Sequence, residues 1–425
     1  MSNHSLSNDA LTPVAAVERV FTGVSHASLW FSLGVGLLVM QVGAYLVPAM
    51  GTQDAMLAIV MGSLLGSGLL AWVAKIACDS GLSSAGLIHR VYGPSFARLP
   101  VLLNIVQLIG WTTFEVVIMR DGTHAITQKA FGMDLSPLWT TVLWGGVLTL
   151  LMTGSMLTLV RRFVSRVGLP LVILSLLWLS WHFVSLAQQQ GWAAFMARPG
   201  NGSMGMLSAM DLVIAMPVSW LPLVADYARH GRTGASTLRG TWLGYALANV
   251  WCYALGVLVA SVSEPGTDLV TALLLAQGGL LALGLILLDE LDNAYGDVYS
   301  GAMSSRSLHA GWSLRRWAVT IAVLCTALAL VLPMHSLEPF LLMLSSIFVP
   351  LYGVILGRLG TASTSTGTTA KGMNVPAAVI WFVGIAVFHA SAHWTPQWGS
   401  AIPSLIVTFA LALATRSSNP EASPQ

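Results

Sequence analysis

Residues 216–232 read MPVSWLPLVADYARHGR and belong to the sixth of twelve apolar segments, where Pro217 and Pro222 stand on either side of Trp220. Proline lacks a backbone donor and its ring clashes with the preceding helical turn, so this pair predicts an interrupted helix. The first apolar segment holds a comparable set of residues, namely Gly34, Gly36, Gln41, Gly43 and Pro48. The alternative is that Gly and Pro are simply more common in membrane helices than in soluble ones.

The composition is typical of a protein buried in lipid. Apolar residues make up 55% of the 425 positions, charged residues only 8%, and the mean hydropathy is +0.75. A soluble domain of this length needs a charged surface, which 19 Lys and Arg with 17 Asp and Glu cannot supply. A membrane-spanning helix needs roughly 20 apolar residues. Such runs lie near 27–50, 55–77, 97–119, 136–159, 167–187, 204–226, 238–262, 268–300, 314–332, 336–357, 374–392 and 399–415, and we number them spans 1–12.

Basic residues set the orientation of the spans, because cytoplasmic loops of membrane proteins carry an excess of Lys and Arg. With the N-terminus in the cytoplasm, all such residues are cytoplasmic except Arg120, Lys129 and Arg198. We therefore expect a multi-pass protein of the inner (cytoplasmic) membrane with both termini cytoplasmic. The sequence has no phosphate-binding loop and no HExxH zinc motif, so we expect no cofactor and no nucleic-acid partner.

The two interrupted spans, 1 and 6, are five spans apart. A repeat of five spans, an odd number, must enter the membrane upside down relative to its partner, and transporters commonly bind substrate where two such repeats have broken helices. We predict an all-α membrane protein with an inverted pair of repeats. The predicted segments are a cytoplasmic N-terminal tail (1–26), the first repeat (27–190), the second repeat (204–358), a cytoplasmic linker (359–373), spans 11 and 12 (374–415) and a cytoplasmic tail (416–425).

Span 3 carries a polar and aromatic stripe. Gln107, Trp111 and Glu115 follow one another at intervals of four residues, which places them on one helix face. An aromatic ring can stack on a planar heterocycle, while an amide reads the edge of that ring. Ordinary packing of Trp111 and an interhelical hydrogen bond from Gln107 are the alternatives. Glu115 is either a proton-titrating group or a residue at the membrane boundary.

Span 8 is unusually acidic. Its sequence LILLDELDNAYGDVYSGAMS, residues 285–304, places Asp289, Glu290, Asp292 and Asp297 within nine residues. Carboxylates this close repel one another and need a cation, protons or water to be tolerated within a membrane. We interpret the group as a site of cation or proton coupling; the alternative places it at the cytoplasmic end of the span.

Three stretches resemble the nucleobase:cation symporter-1 family: QLIGWTTF (107–114), residues 216–232 and DVYSGAMS (297–304). Within that family they are most similar to the CytX-type hydroxymethylpyrimidine permeases, with cytosine permease a more distant relative. The resemblance implies a LeuT-type fold of five plus five spans with two added C-terminal helices. It also implies a substrate site between spans 1, 3, 6 and 8. By position, the implied substrate contacts are Gln41, Gln107, Trp111, Ser219 and Trp220.

The resemblance also implies an ion site. In sodium-coupled relatives, backbone carbonyls of span 1 and hydroxyl groups of span 8 hold the ion. The corresponding positions here are Gly34 and Leu37 in span 1 and Asp292 and Asn293 in span 8. Since a carboxylate can bind Na⁺ or carry a proton, the coupling ion is either Na⁺, held at Asp292 and Asn293, or H⁺. The wider coupling group is Asp289, Glu290, Asp292, Asn293 and Glu115.

Together these features predict a secondary active transporter that imports a pyrimidine, most specifically hydroxymethylpyrimidine, by cation symport. Its expected partners are a small heterocyclic substrate and the lipid bilayer. Alternative solutes are cytosine, a purine, a hydantoin or allantoin. A different class, an intramembrane enzyme that uses the carboxylates of span 8, is opposed by the broken spans 1 and 6, and no repeated filter sequence supports a channel.

Overall fold

A computed structural model describes residues 10–154, 168–264, 266–332, 336–360 and 372–415. Within these ranges the chain is helical and forms no strand, apart from one isolated bridge between Phe21 and Gly231. The α-helices are α1 (Gly23–Ser32), α2 (Leu37–Tyr45), α3 (Thr52–Ser80), α4 (Ser84–Tyr92), α5 (Arg98–Phe131), α6 (Pro137–Met152), α7 (Leu169–Gln189), α8 (Trp192–Met196), α9 (Met206–Ser219), α10 (Leu221–Ala228), α11 (Gly234–Val262), α12 (Leu269–Leu275), α13 (Gly279–Leu308), α14 (Leu314–Val331), α15 (Leu337–Leu359), α16 (Val375–Trp394) and α17 (Ala401–Ala414).

Among the described residues, seven helices and the pair α9–α10 taken as one are long and apolar enough to cross a membrane, and the bent pair α1–α2 brings the number of such spans to nine. Two shorter apolar helices, α6 and α17, cover most of the predicted spans 4 and 12. The acidic helix α13 is not among these candidates. The protein is therefore a multi-pass membrane protein. The end of span 4, most of the linker and the last ten residues lie outside the described residues.

Span 1 is broken in the middle. Helix α1 ends at Ser32, α2 begins at Leu37, and the two helices meet at an angle of 64°. Gly36 lies in this break, and an added Cβ there would come within 2.9 Å of Glu290 Oε1. A side chain at this position would displace the Glu290 carboxylate that lies against the break.

Span 6 is interrupted more gently. Helix α9 ends at Ser219 and α10 begins at Leu221, with Trp220 between them, while the two halves still read as one 23-residue span. Pro222 lies in the first turn of α10, where its missing N–H costs no intrahelical bond. The two prolines therefore cause a one-residue interruption here rather than a large bend.

Span 8 differs from its predicted extent of 268–300. Helix α12 stops at Leu275, and Gly278 adopts a left-handed conformation with φ of 72° before α13 begins. A residue other than glycine is strained at this φ, so the break is encoded locally. Helix α13 then runs on to Leu308, which leaves Asp289, Glu290 and Asp297 buried well before its end.

The helices pack in two groups. Span 1 (α1–α2), α3, span 6 (α9–α10) and α11 contact one another, while α5, α6, α13 and α14 form the second group. Several of these contacts join helices five spans apart: span 2 with 7, span 3 with 8 and span 4 with 9. This is the arrangement expected of two five-span repeats related by a two-fold axis.

The end of the predicted N-terminal tail is packed against the protein. Phe21 N–H donates to the carbonyl oxygen of His230 at 2.9 Å, and Arg232 N–H donates to that of Phe21 at 2.9 Å. Arg19 Nη1 donates to the carbonyl oxygen of Cys78 at 3.0 Å. Burial and the neighbouring Arg229 lower the pKa of His230 to about 4, so its ring is neutral at pH 7. Residues 10–22 thus link the loops that follow α3 and α10.

Candidate functional site

A small cavity lies where the break in span 1 meets span 6. Its walls come from four elements, and the residues that line it include Leu33 and Gly36 of span 1, Trp111 and Glu115 of α5, Ser219 and Trp220 of span 6, and Glu290, Asn293 and Asp297 of α13. The centre of a water molecule can occupy about 20 Å³ of it, which is room for roughly one water. The cavity is therefore narrow in this conformation and must widen to hold a ring.

Two tryptophans bound the cavity, and each is supported by another aromatic ring. Trp111 packs against Phe340 of α15 with ring centroids 5.2 Å apart and planes at 73°. Trp220 meets Trp30 of α1 edge to face, with centroids 6.0 Å apart. Edge-to-face pairs hold aromatic side chains in fixed orientations. Both rings are thus positioned before any ligand arrives.

Gln107 lies behind the cavity wall rather than in it. Its Nε2 donates to Asn104 Oδ1 at 3.1 Å and to the carbonyl oxygen of Ser219 at 3.2 Å. Its Oε1 is buried and has no hydrogen-bond partner among the described residues; the same holds for Trp111 Nε1. Gln107 of α5 therefore holds the backbone of span 6 in place at Ser219, where α9 ends.

Helix α13 joins the cavity to the broken segment of span 1. Glu290 Oε1 accepts the backbone N–H of Leu37 at 2.6 Å, which caps the start of α2. Asn293 Nδ2 lies 3.4 Å from the carbonyl oxygen of Val35 and 3.3 Å from Glu290 Oε2. A free helix N-terminus attracts negative charge, so a carboxylate is well placed there.

One turn before Asn293, Asp289 contacts the end of α1. Ser32 Oγ donates to Asp289 Oδ1 at 3.1 Å. Asp289 Oδ2 and Asn293 Oδ1 are both buried and have no hydrogen-bond partner within the described part of the chain. Two unpartnered oxygens thus lie on one face of α13, beside the backbone of the break. Buried oxygens without donors are the arrangement that a bound cation would satisfy.

Other residues that the sequence singled out lie elsewhere. Gln41 donates through Nε2 to Tyr45 Oη at 2.7 Å within α2 and does not line the cavity. Gly34 packs against Ala248 of α11. Asp292 lines a second cavity, whereas Asn293 lines the first. The structure therefore places the predicted pair Asp292 and Asn293 on two different cavities.

The second cavity is much larger, about 450 Å³, and lies beside the first half of span 1. It is lined by residues of α1, the start of α7, the end of α10 and α13; among them are Ser25, Ser32, Tyr227, Asp292 and Tyr295. Leu33 lines both cavities. Leu33, at the break in span 1, therefore forms part of the wall of both cavities.

Asp297 also lines the cavity, and the sequence identified it only as a member of the acidic group of span 8. It lies four residues after Asn293 and seven after Glu290, so helical periodicity would have placed all three on one face of α13. No periodic pattern in the sequence placed Phe340 or Val35 near the cavity. Their roles depend on the packing of distant helices and on the course of the break.

The comparisons with known proteins agree with this architecture. A sequence model described as permease for cytosine/purines, uracil, thiamine, allantoin matches residues 13–412. No curated protein sequence gives a match. Among solved structures, the nucleobase-cation-symport-1 family transporter Mhp1, closed with bromovinylhydantoin bound, superposes with a TM-score of 0.79 at 18% identity, over 96% of this chain and 95% of that one.

Two further structures share the fold. Mhp1 in its inward-facing conformation gives a TM-score of 0.78 at 18% identity, over 97% of this chain and 94% of that one. A Na⁺-coupled sialic acid symporter in a substrate-bound outward-open state gives 0.65 at 11% identity, over 97% and 91%. The family match spans nearly the whole chain, and the fold is that of a transporter rather than an enzyme. The chain belongs to the family of permeases for cytosine/purines, uracil, thiamine and allantoin.

Proposed function

We propose that the protein imports a pyrimidine by cation symport, with hydroxymethylpyrimidine as the foremost substrate. The observation that carries this proposal is the cavity at the break in span 1, which Trp111 and Trp220 bound and polar side chains of α13 complete. A flat heterocycle stacks on an indole ring, and its amino and hydroxyl groups need polar partners at the ring edge. The cavity offers both kinds of contact.

The cation site that we propose uses Asp289 and Asn293. Their unpartnered oxygens lie beside Ser32 Oγ and the carbonyl oxygen of Val35, and hard cations prefer such oxygen ligands. Asn293 also lines the substrate cavity, so an ion held there would draw together the break in span 1 and α13. The backbone at the break in span 1 lies beside both the proposed ion site and the substrate cavity, so it would couple ion binding to substrate binding. Both Na⁺ and H⁺ suit a carboxylate.

We further propose twelve spans in all, with α6, α13 and α17 included and the last two outside the repeats. With both termini cytoplasmic, the 450 Å³ cavity opens toward the cytoplasm. Movement of spans 1, 2, 6 and 7 against the remaining helices would then displace Leu33 and connect the two cavities. The substrate cavity has room for only about one water molecule, so this conformation does not hold a substrate.

The experiment that tests this function is uptake of labelled hydroxymethylpyrimidine into proteoliposomes, with Na⁺ and H⁺ gradients imposed separately. We expect accumulation with one of the two gradients. An inside-negative potential of 100 mV supplies about 2.3 kcal/mol per charge, which corresponds to roughly 40-fold accumulation. Protein-free liposomes and collapsed gradients are the controls.

A competition panel of cytosine, a purine, a hydantoin and allantoin separates the alternative substrates. Uptake that equilibrates but never exceeds the outside concentration under either gradient would exclude symport. A protein that takes up none of these heterocycles would contradict the whole assignment.

A further inference from the structure

Asp211 is a buried acidic residue in the first half of span 6 that lines neither cavity and takes no part in the proposed cation site. It lies in α9 with 5% of its surface exposed. Its carboxyl oxygens accept the backbone N–H groups of Ser400 and Ala401, the latter at 3.1 Å from Oδ2. These are the first donors of α17, which no carbonyl within that helix can reach. Asp211 therefore joins span 6 to the start of span 12.

The loop before α17 is shaped around this carboxyl group. Gly399 has a φ of 69°, a conformation in which a residue with a side chain is strained. A Cβ atom there would also come within 2.9 Å of Asp211 Oδ2. One turn before Asp211, Ser208 Oγ donates to the carbonyl oxygen of Pro396 at 2.8 Å. The segment between spans 11 and 12 is thus attached to α9 at two points.

Span 12 is in turn packed closely against span 10. An added Cβ at Gly353 of α15 would overlap Thr408 Oγ1 of α17, and small residues allow membrane helices to approach this closely. Near the other end of α15, Phe340 lies in the first turn and packs against Trp111. A continuous set of contacts therefore runs from Asp211 through spans 12 and 10 to one tryptophan of the substrate cavity.

The helix that carries Asp211 leads to the other tryptophan. Helix α9 ends at Ser219, Trp220 follows it, and both residues line the cavity. In this structure α9 also contacts α15 directly, and the cavity has room for about one water. The attachment of Asp211 to span 12 thus fixes the distance between two helices that support opposite sides of the cavity.

We propose that Asp211 is a positioning residue that, through span 12, holds α9 against span 10 and keeps the substrate cavity closed at the end of span 6 where Asp211 lies. The inference rests on the proposed function, in which that end is outside the cell. It assigns a role to spans 11 and 12, the two spans that we place outside the repeats. They fasten together two helices that must separate when a substrate enters from outside.

The test is side-specific thiol modification of Ser219→Cys, in a background without the native cysteines, by a membrane-impermeant reagent. In right-side-out vesicles, Asp211→Ala should raise the modification rate about 3- to 30-fold, because a helix cap is lost. Asp211→Asn keeps an oxygen that accepts the same N–H groups, so its rate should rise less than about twofold. In inside-out vesicles Asp211→Ala should not raise the rate. A shift toward the outside-open state lowers access from the cytoplasm, whereas partial unfolding raises access from both sides.

Asp268→Ala is the matched control, because Asp268 caps α12 by accepting the N–H of Thr271 at 3.0 Å but is itself exposed. Its rates should equal those of the parent on both sides. Gly399→Ala is a second variant that should act as Asp211→Ala does, since its Cβ would displace the Asp211 carboxyl group. It decides the matter if Asp211→Ala does not fold.

Unchanged rates in folded Asp211→Ala and Gly399→Ala, or an equal rise on both sides of the membrane, would overturn the inference. A rise in inside-out vesicles alone would contradict the proposed orientation and still support the role of Asp211. None of these rates depends on which heterocycle is transported, so failure of the uptake experiment would contradict the proposed function alone.

Discussion

Replacement of Trp111 by alanine is expected to raise the KM for the transported heterocycle about 10- to 100-fold. A base stacked on an aromatic side chain gains roughly 1–3 kcal/mol, and each 1.4 kcal/mol changes affinity tenfold. Trp111 is the ring that Phe340 holds in place at 5.2 Å, so truncation removes a preorganised surface rather than a mobile one. The measurement is the concentration dependence of initial uptake rates in proteoliposomes.

Trp139→Ala is the control for this variant. Trp139 lies at the start of α6 with 71% of its surface exposed, and it does not line the cavity. Its replacement should leave KM unchanged. Both variants should elute from size exclusion as the wild type does. A Trp111→Ala protein that is folded and has the wild-type KM would show that the stacking assignment is wrong.

Replacement of Asp289 by asparagine is expected to weaken activation by the coupling cation about 10- to 100-fold. The change keeps an oxygen that can accept from Ser32 Oγ but removes the negative charge. A charged ligand contributes roughly 1.5–3 kcal/mol to such a contact, and this sets the expected range. The measurement is the cation concentration that gives half-maximal uptake at fixed substrate concentration.

Asp292→Asn is the comparison variant, because this carboxylate lies three residues away on the same helix and interacts electrostatically with Asp289, but lines the larger cavity. Its half-maximal cation concentration should therefore rise much less than that of Asp289→Asn, because Asp292 acts on the ion from a distance and not as a ligand. The opposite pattern, with loss in Asp292→Asn and none in Asp289→Asn, would favour the ion position that we inferred from the sequence resemblance.

Much of the fold could be read from local sequence. Gly36, Pro217 and Pro222 mark the interruptions because they change backbone geometry directly, whatever surrounds them. The sizes of the two interruptions were not predictable: span 1 bends by 64°, whereas span 6 continues as one span. In span 1, Glu290 of α13 holds the N–H of Leu37 just after the break, a contact from a distant helix that no local pattern predicts.

The site was less accessible to sequence reasoning, and α13 shows why. Successive helical residues are rotated by about 100°, and in this structure Asn293 lines the narrow cavity while Asp292 lines the larger one. The resemblance indicated the right region of the helix, but only the structure gives the rotation of the helix about its axis. It turns Glu290, Asn293 and Asp297 to the cavity. Gln41 does not line the cavity in this structure, because its amide donates to Tyr45 Oη.

Substrate protection of a cysteine at position 219 tests most directly whether the heterocycle binds between the two broken spans. Ser219 lines the cavity, and the native Cys78, Cys252 and Cys325 are buried. The background is a variant in which these three are replaced and uptake is first shown to be retained. In Ser219→Cys on that background, we predict that saturating substrate slows modification by a small thiol reagent severalfold. Modification at the same rate with and without a heterocycle that this variant demonstrably transports would contradict the proposed site.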